Sequence, residues 1–219
     1  MTRARSGRSN GALYLVVSCA PAQEGVPALV RRCQDAWWRA VVFSTPTGTR
    51  FIDLGELEQL TGEPVRSEYR LPGTRKAAPT ADAVLACPLT FNSVTKFAHG
   101  HADNFAAGLL CEMAGYGVPV VIVPHCKPQL ASHPAFVASL ETLGHMGIGV
   151  LFDPDARTSR GCCSGVRLSP RSLPVYGPGD VMDLETPGQR MRGHRRSSSL
   201  CLAQMNSAAG RRPRARRQP

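Results

Sequence analysis

The residues best suited to chemistry in this 219-residue chain fall in four short stretches, each at the end of an apolar run. The first two offer the hydroxyls of Ser18, Ser44, Thr45 and Thr47. The third carries Pro88, Thr90, Asn92 and Ser93, and the fourth His125, Cys126 and Lys127. If the runs are parallel strands, ligand binds beyond their carboxyl ends, in the loops that hold these residues. Small hydroxyls there, with the free backbone N–H groups of the helices that follow, suit a phosphate. Neither a GxGxxG nor a Walker sequence is present, so a dinucleotide or nucleoside triphosphate lacks its usual signature. His125 follows a strand end and is the best-placed candidate base, ahead of His99 and His101 on a helix end. For each imidazole a surface or capping role competes, and Cys126 reads as a packed thiol. His99 and His101 supply at most two metal ligands, so no metal site is expected.

Elements that would position these groups alternate along the chain. Short runs dense in Val and Leu, with helical spacing between them, are how buried parallel strands joined by crossover helices read. Strands are expected at residues 12–18, 40–44, 83–87, 118–123 and 148–152. Helices are expected at 26–37, 54–60, 91–98, 105–116 and 136–143, with Asp53 as an N-cap and Thr61-Gly62 as a stop. Pro88 and Pro124 are expected to halt the third and fourth strands, which should lie centrally. The result is a three-layer α/β sandwich around a parallel sheet of five or six strands.

The net charge of +10 is confined to one end of the chain. Residues 1–156 hold 13 Lys and Arg against 13 Asp and Glu, whereas residues 157–219 hold 13 Arg against three acids. The domain, expected at residues 11–156, therefore has no basic excess with which to bind nucleic acid, and only non-specific binding through the tail is expected. Residues 1–10 form a basic N-terminal tail. From residue 157 onward Gly, Pro, Ser and Arg dominate and no hydrophobic period survives, which predicts disorder. The apolar run after Arg3, Arg5 and Arg8 is too short for a signal-peptide core or a membrane span. Eight cysteines without CxxC spacing point to a reduced, cytoplasmic compartment.

The stretch from Ala81 to Asn104 narrows the reading further. It runs from an apolar strand into Pro88-Leu89-Thr90-Phe91-Asn92-Ser93, followed by Lys96, Gly100, Asp103 and Asn104. This resembles the homo-oligomeric flavin-containing cysteine decarboxylases, whose fingerprint is a strand leading into Pro-Ala-Ser-Ala-Asn-Thr, then Lys, Gly and Asp-Asn at fixed offsets. Pro119 to Pro124 is similar to the family strand before its substrate clamp, and His133-Pro134-Ala135 to the His-Pro-Ala that follows. The resemblance covers about residues 11–156. It implies a flavodoxin-like, Rossmann-like fold, bound FMN, a trimer or higher homo-oligomer, and a small-molecule or peptide substrate.

On that resemblance Ser18, Ser44, Thr45, Thr47, Pro88, Thr90, Asn92, Ser93, Asp103 and Asn104 are the expected cofactor-binding residues, and Asn92, His125 and Lys127 the expected catalytic ones. The rim of an isoalloxazine needs hydrogen bonds, which Asn92, Thr90 and Ser93 offer. For Asn92 and Ser93 the competing role is a helix cap. Departures from the pattern fall on chemistry. The family's catalytic histidine lies about eight residues before the Asp matched by Asp82, where this chain has Thr74, and threonine is no base near neutral pH. The clamp Pro-x-Met-Asn becomes Pro124-His125-Cys126-Lys127, placing an ammonium where an amide would hold a substrate carboxylate. The first loop, Ser18-Cys19-Ala20-Pro21-Ala22, lacks the family's Gly-rich start to its first helix. The expected function is flavin-dependent oxidative decarboxylation, or related redox chemistry, on a thiol- and carboxylate-bearing substrate. The alternatives are an FMN-binding regulatory protein without decarboxylase chemistry and a protein like the flavin prenyltransferases.

Overall fold

Five strands, the first four built almost entirely from buried residues, form one parallel sheet in the order β2-β1-β3-β4-β5. They are β1 (Ala12–Val17), β2 (Arg39–Ser44), β3 (Ala83–Leu89), β4 (Val120–Pro124) and β5 (Gly149–Val150). The computed structural model describes residues 11–18, 25–69, 73 and 77–152. Helices α1 (Val26–Asp35), α2 (Leu54–Thr61), α3 (Phe91–Ala98), α4 (Phe105–Gly115), α5 (Pro128–Ala131) and α6 (Pro134–His145) connect the strands. The expectations that lie outside the described residues are Arg3, Arg5, Arg8, the loop from Cys19 to Ala22, Thr74 and the segment from Arg157 onward.

Side chains alternate across each strand, and this sorts them into two cores. Leu13, Leu15 and Val17 of β1, with Leu85 and Cys87 of β3 and Val121 and Val123 of β4, pack against Leu29, Val30 and Leu57 of α1 and α2. Tyr14 and Val16, with Val84, Ala86 and Ile122, pack against Phe97, Leu110, Phe136 and Leu143 of α3, α4 and α6. Both faces of the sheet are thereby covered, as an all-parallel sheet requires. Three layers and strand order 2-1-3-4-5 make the fold flavodoxin-like.

The expected elements are all present, with informative differences at their ends. Asp53 caps α2, its Oδ1 accepting from Glu56 N–H at 3.0 Å, and Gly62 ends that helix in the left-handed region at φ 68°. Helix α1 stops at Asp35 rather than continuing to Trp37, because Trp37 itself adopts φ 68°. The corresponding positions after α4 and α6 are Gly117 and Gly147, the residue type that takes this conformation without strain. β4 ends at Pro124 as expected, but Pro88 does not halt β3, which runs on to Leu89. Proline loses only its N–H, and the Pro88 carbonyl still accepts from Ser18 N–H at 3.0 Å. The β3–β4 register shifts between Ala86 and Leu89. In consequence Cys87 faces the first core while Leu89 faces the second.

A single parallel bridge, Phe43 to Arg66, adds a further rung outside β2. At the other end of β1, Asp82 accepts from Ala12 N–H at 2.8 Å and donates its own N–H to Ala12 O at 2.9 Å. Among the described residues no helix is long and apolar enough to cross a membrane.

Candidate active site

The carboxyl ends of β1, β2, β3 and β4 bring Ser18, Ser44, Thr90 and His125 to one edge of the sheet. Ser18 is buried, and its Oγ is fully used inside the protein. It donates to Pro88 O at 3.1 Å and accepts from Thr90 N–H at 2.8 Å. This hydroxyl therefore ties the end of β1 to the end of β3. Ser44 is buried too, its Oγ donating to Thr45 O at 3.1 Å.

The turn after β2 is closed by Thr45, whose Oγ1 accepts from Gly48 N–H at 3.0 Å. Gly48 is required here by contact. A Cβ at this position would lie 2.6 Å from Ser44 Oγ, 2.9 Å from Thr45 Oγ1 and 3.3 Å from Val17 O. Thr47 begins the 3-10 turn Gly48–Arg50 and is exposed, with no side-chain bond at the cap. Of the four hydroxyls expected to meet a phosphate, Ser18 and Ser44 are thus sealed struts, while Thr45 and Thr47 line the accessible side of the turn.

At the end of β3, Thr90 is the N-cap of α3. Its Oγ1 accepts from Ser93 N–H at 3.4 Å and shares a hydrogen bond with Ser93 Oγ at 3.1 Å. The cap role therefore belongs to Thr90 and Ser93, not to Asn92. Asn92 stands exposed in the first turn of α3, and no protein partner holds its amide among the described residues. A free amide held on a rigid helix start can both donate and accept toward a ligand. Pro88, joined to Cys87 by a cis peptide bond, lies within β3, its carbonyl turned to Ser18.

Asp103 and Asn104 serve the α3–α4 corner. Asp103 accepts from Lys96 Nζ, and that hydrogen bond holds its carboxyl below the usual range. Asn104 donates to Asp103 Oδ1 at 3.0 Å and caps α4 by accepting from Ala107 N–H at 3.1 Å. Both polar atoms of the Asn104 side chain are thus engaged by the protein. The spacing shared by Lys96, Asp103 and Asn104 has a structural consequence: it joins the end of α3 to the start of α4.

Beyond β4, His125 is half-buried and donates its backbone N–H to Leu89 O at 2.8 Å, which draws the β4 loop onto the end of β3. Lys127 is exposed as the residue before α5, its carbonyl accepting from Leu130 N–H at 2.9 Å and Ala131 N–H at 3.0 Å. Cys126 packs against the second core, and burial pushes its thiol up, away from the nucleophilic thiolate. His133 caps α6 through Nδ1, which accepts from Ala135 N–H at 3.1 Å.

Sequence reasoning missed the aromatic group beside Asn92. Phe91 stacks on Phe136 with ring centroids 5.5 Å apart at 15°, and meets His133 edge-on at 5.8 Å. Phe136 in turn meets Phe152 at 5.4 Å. The signal available in the sequence was Phe91 itself, a large side chain inside a run otherwise made of small and polar residues. Among the described residues, no group of three or more His, Cys, Asp or Glu could hold a metal ion.

A parallel sheet of this order, with caps, hydroxyls and a free amide gathered at the carboxyl ends of its inner strands, defines an α/β ligand-binding domain of the flavodoxin-like class. The flavoprotein family model matches residues 3–166, and the chain belongs to that family. The coenzyme A biosynthesis bifunctional protein CoaBC of Mycobacterium tuberculosis is 28% identical over 148 residues, which are 66% of this chain and 34% of that protein. CoaBC of Mycolicibacterium smegmatis is 26% identical over 141 residues, 63% of this chain and 33% of that protein. The chain therefore spans about a third of the length of these curated relatives. Among solved structures, the FMN-dependent cysteine decarboxylase TvaF from thioviridamide biosynthesis superposes with a TM-score of 0.56 at 23% identity, over 64% of this chain and 88% of that one. A PPC decarboxylase variant complexed with pantothenoylaminoethenethiol gives 0.56 at 20%, over 66% and 82%. The epidermin biosynthesis protein EpiD of Staphylococcus aureus gives 0.55 at 16%, over 64% and 81%. These likenesses concern the fold.

Proposed function

We propose that this chain is an FMN-binding enzyme that carries out oxidative decarboxylation of a small or peptidyl substrate bearing a thiol and a carboxylate. The observation that carries the reading is Asn92. Its amide is exposed in the first turn of α3 and unclaimed among the described residues, while the capping work around it is done by Thr90 and Ser93. Family membership and the names of similar proteins, among them an FMN-dependent cysteine decarboxylase, support the cofactor and the reaction.

The residues present fit a flavin mononucleotide. Gly48 lets the turn after β2 pack tightly on Ser44 and Thr45, where a Cβ would collide with both hydroxyls, and that turn offers the hydroxyls of Thr45 and Thr47 to a monophosphate. Asn92 and Ser93 supply hydrogen bonds for a heterocycle rim. When bound, FMN supplies a two-electron acceptor. The chain's own groups then have distinct tasks: Asn92 orients, Lys127 pairs with the substrate carboxylate, and the imidazole of His125 receives the thiol proton. No Asp or Glu occurs between Glu112 and Glu141, so the segment after β4 sets no carboxylate against an acidic substrate and offers it the ammonium of Lys127.

The same reading places the domain at residues 11–156, in a cytoplasmic homo-oligomer of three or more subunits. Asp103 and Asn104 act in it by holding α4 against α3 rather than by touching flavin. Thr74 favours a second reading, an FMN-binding protein without decarboxylase chemistry, because the resembling family has its base there. One experiment addresses both. The purified protein is expected to be yellow with one FMN per subunit and to release carbon dioxide from N-acetylcysteine or from a peptide ending in cysteine. A colourless protein that takes up no FMN in a fluorescence titration defeats the proposal. Flavin without carbon dioxide release selects the second reading.

A further inference from the structure

We propose that Phe91 determines substrate size, admitting small thiol acids to Asn92 and Lys127 and turning away peptides. This rests on the reading above, in which those two residues hold the substrate. Phe91 is the first residue of α3, adjacent to Asn92, and where the resembling motif has alanine this chain places a phenyl ring.

The position of that ring is fixed from behind. It stacks on Phe136, which is fully buried, and Phe136 is backed by Phe152. Its edge meets His133, whose own ring is held by the hydrogen bond from Ala135 N–H at 3.1 Å. With the space toward α6 already filled, Phe91 cannot rotate aside into the core, so it is a wall and not a swinging gate. The contact with His133 also matters for location. Phe91 opens α3 just after β3 and His133 precedes α6 in the segment that follows β4, so the ring pair joins the segments after two adjacent strands, the same segments that carry Asn92 and Lys127. In this proposal the Asn92 amide and the Lys127 ammonium, after adjacent strands β3 and β4, hold a single thiol acid, and the chain of a longer peptide meets the Phe91–His133 pair.

The test compares N-acetylcysteine with a five-residue peptide ending in cysteine, in the full chain and in Phe91→Ala and Phe91→Leu variants. Two readouts are taken: kcat/KM for carbon dioxide release, and the dissociation constant from the shift in flavin absorbance. The full chain is expected to favour N-acetylcysteine at least tenfold by either readout. Phe91→Ala is expected to move the ratio toward the peptide by about tenfold, the scale on which pocket volume discriminates, with one flavin per subunit retained. Phe91→Leu is expected to fall between and guards against loss of folding in the smaller variant. An unchanged ratio in a folded, flavin-loaded variant overturns the role of Phe91 alone. Absence of flavin from the unsubstituted protein overturns this inference together with the reading beneath it.

Discussion

Replacing Ser18 by alanine separates a strut from a ligand contact. In the structure Ser18 Oγ accepts from Thr90 N–H at 2.8 Å and donates to Pro88 O at 3.1 Å, and the residue is buried. Alanine removes both bonds but leaves Pro88 O with its second donor, the Ser18 backbone N–H at 3.0 Å. Only the Thr90 N–H, a part-buried donor, is left with nothing in the protein to bond, which costs about 1 kcal/mol. For a chain of this size that corresponds to a fall in Tm of about 2–4 °C per kcal/mol. Since Thr90 starts α3 and thereby aims Asn92, flavin affinity is expected to fall with stability. Urea denaturation of the flavin-free protein and a fluorescence titration with FMN measure the two effects separately. Stability unchanged within about 0.5 kcal/mol, with flavin binding lost, would show that the hydroxyl touches the phosphate directly and would refute the strut.

Asn92→Asp is expected to give the opposite pattern. The side chain is exposed and has no partner among the described residues, so stability should change by less than about 0.5 kcal/mol while flavin or substrate binding weakens markedly; equal losses would restore a capping role. Gly11→Ala should destabilise by about 1–3 kcal/mol, because φ is +110° and the new Cβ would lie 2.2 Å from Asp82 Oδ2, the acceptor that anchors Ala12; an unchanged denaturation midpoint would contradict this. Arg39, hydrogen-bonded to Glu63, holds that carboxyl below the usual glutamate range, with Arg66 assisting. A depressed folded-state pKa contributes stability that is present above the unfolded value and lost as pH falls through the folded one, so Glu63→Gln should flatten the acid limb of the stability profile below about pH 4.5. Removing residues 157–219 should leave flavin affinity unchanged, and loss of FMN binding on truncation would place that segment within the folded unit.

Much of the architecture could be read from periodicity. Helix α3 has the expected limits because Thr90 and the His99-Gly100 pair mark both of its ends chemically. The stop expected at Pro88 was misread because the sequence shows a missing donor but not that the Pro88 carbonyl remains useful to a neighbouring strand, whereas the stop at Pro124 is where β4 ends. Helix α5 and the 3-10 turn at Gly48–Arg50 were too short to show any period, and the Phe43–Arg66 bridge is one rung in a polar segment. At the site, strand-end logic located Ser18 and Ser44 correctly at the right edge of the sheet. It could not reveal that the partners of Ser18 lie 70 and 72 residues away in sequence, which only folding discloses. Lys96 and Asp103 were visible as fixed offsets, yet their pairing depends on how the chain turns between α3 and α4.

Both tryptophans of the chain sit side by side at the corner between α1 and β2, Trp37 partly exposed and Trp38 buried. That corner is at the amino ends of the strands, whereas Asn92, His125 and Lys127 gather at the carboxyl ends. Nature has thus supplied the protein with two spectroscopic probes at opposite poles. The wavelength of indole emission reports whether the α1–β2 corner is intact, and visible circular dichroism of bound flavin would report the other pole. Recorded during one unfolding experiment, coincident curves mean that the sheet melts as a single cooperative unit. If the flavin signal goes first, the binding edge opens before the framework that carries it.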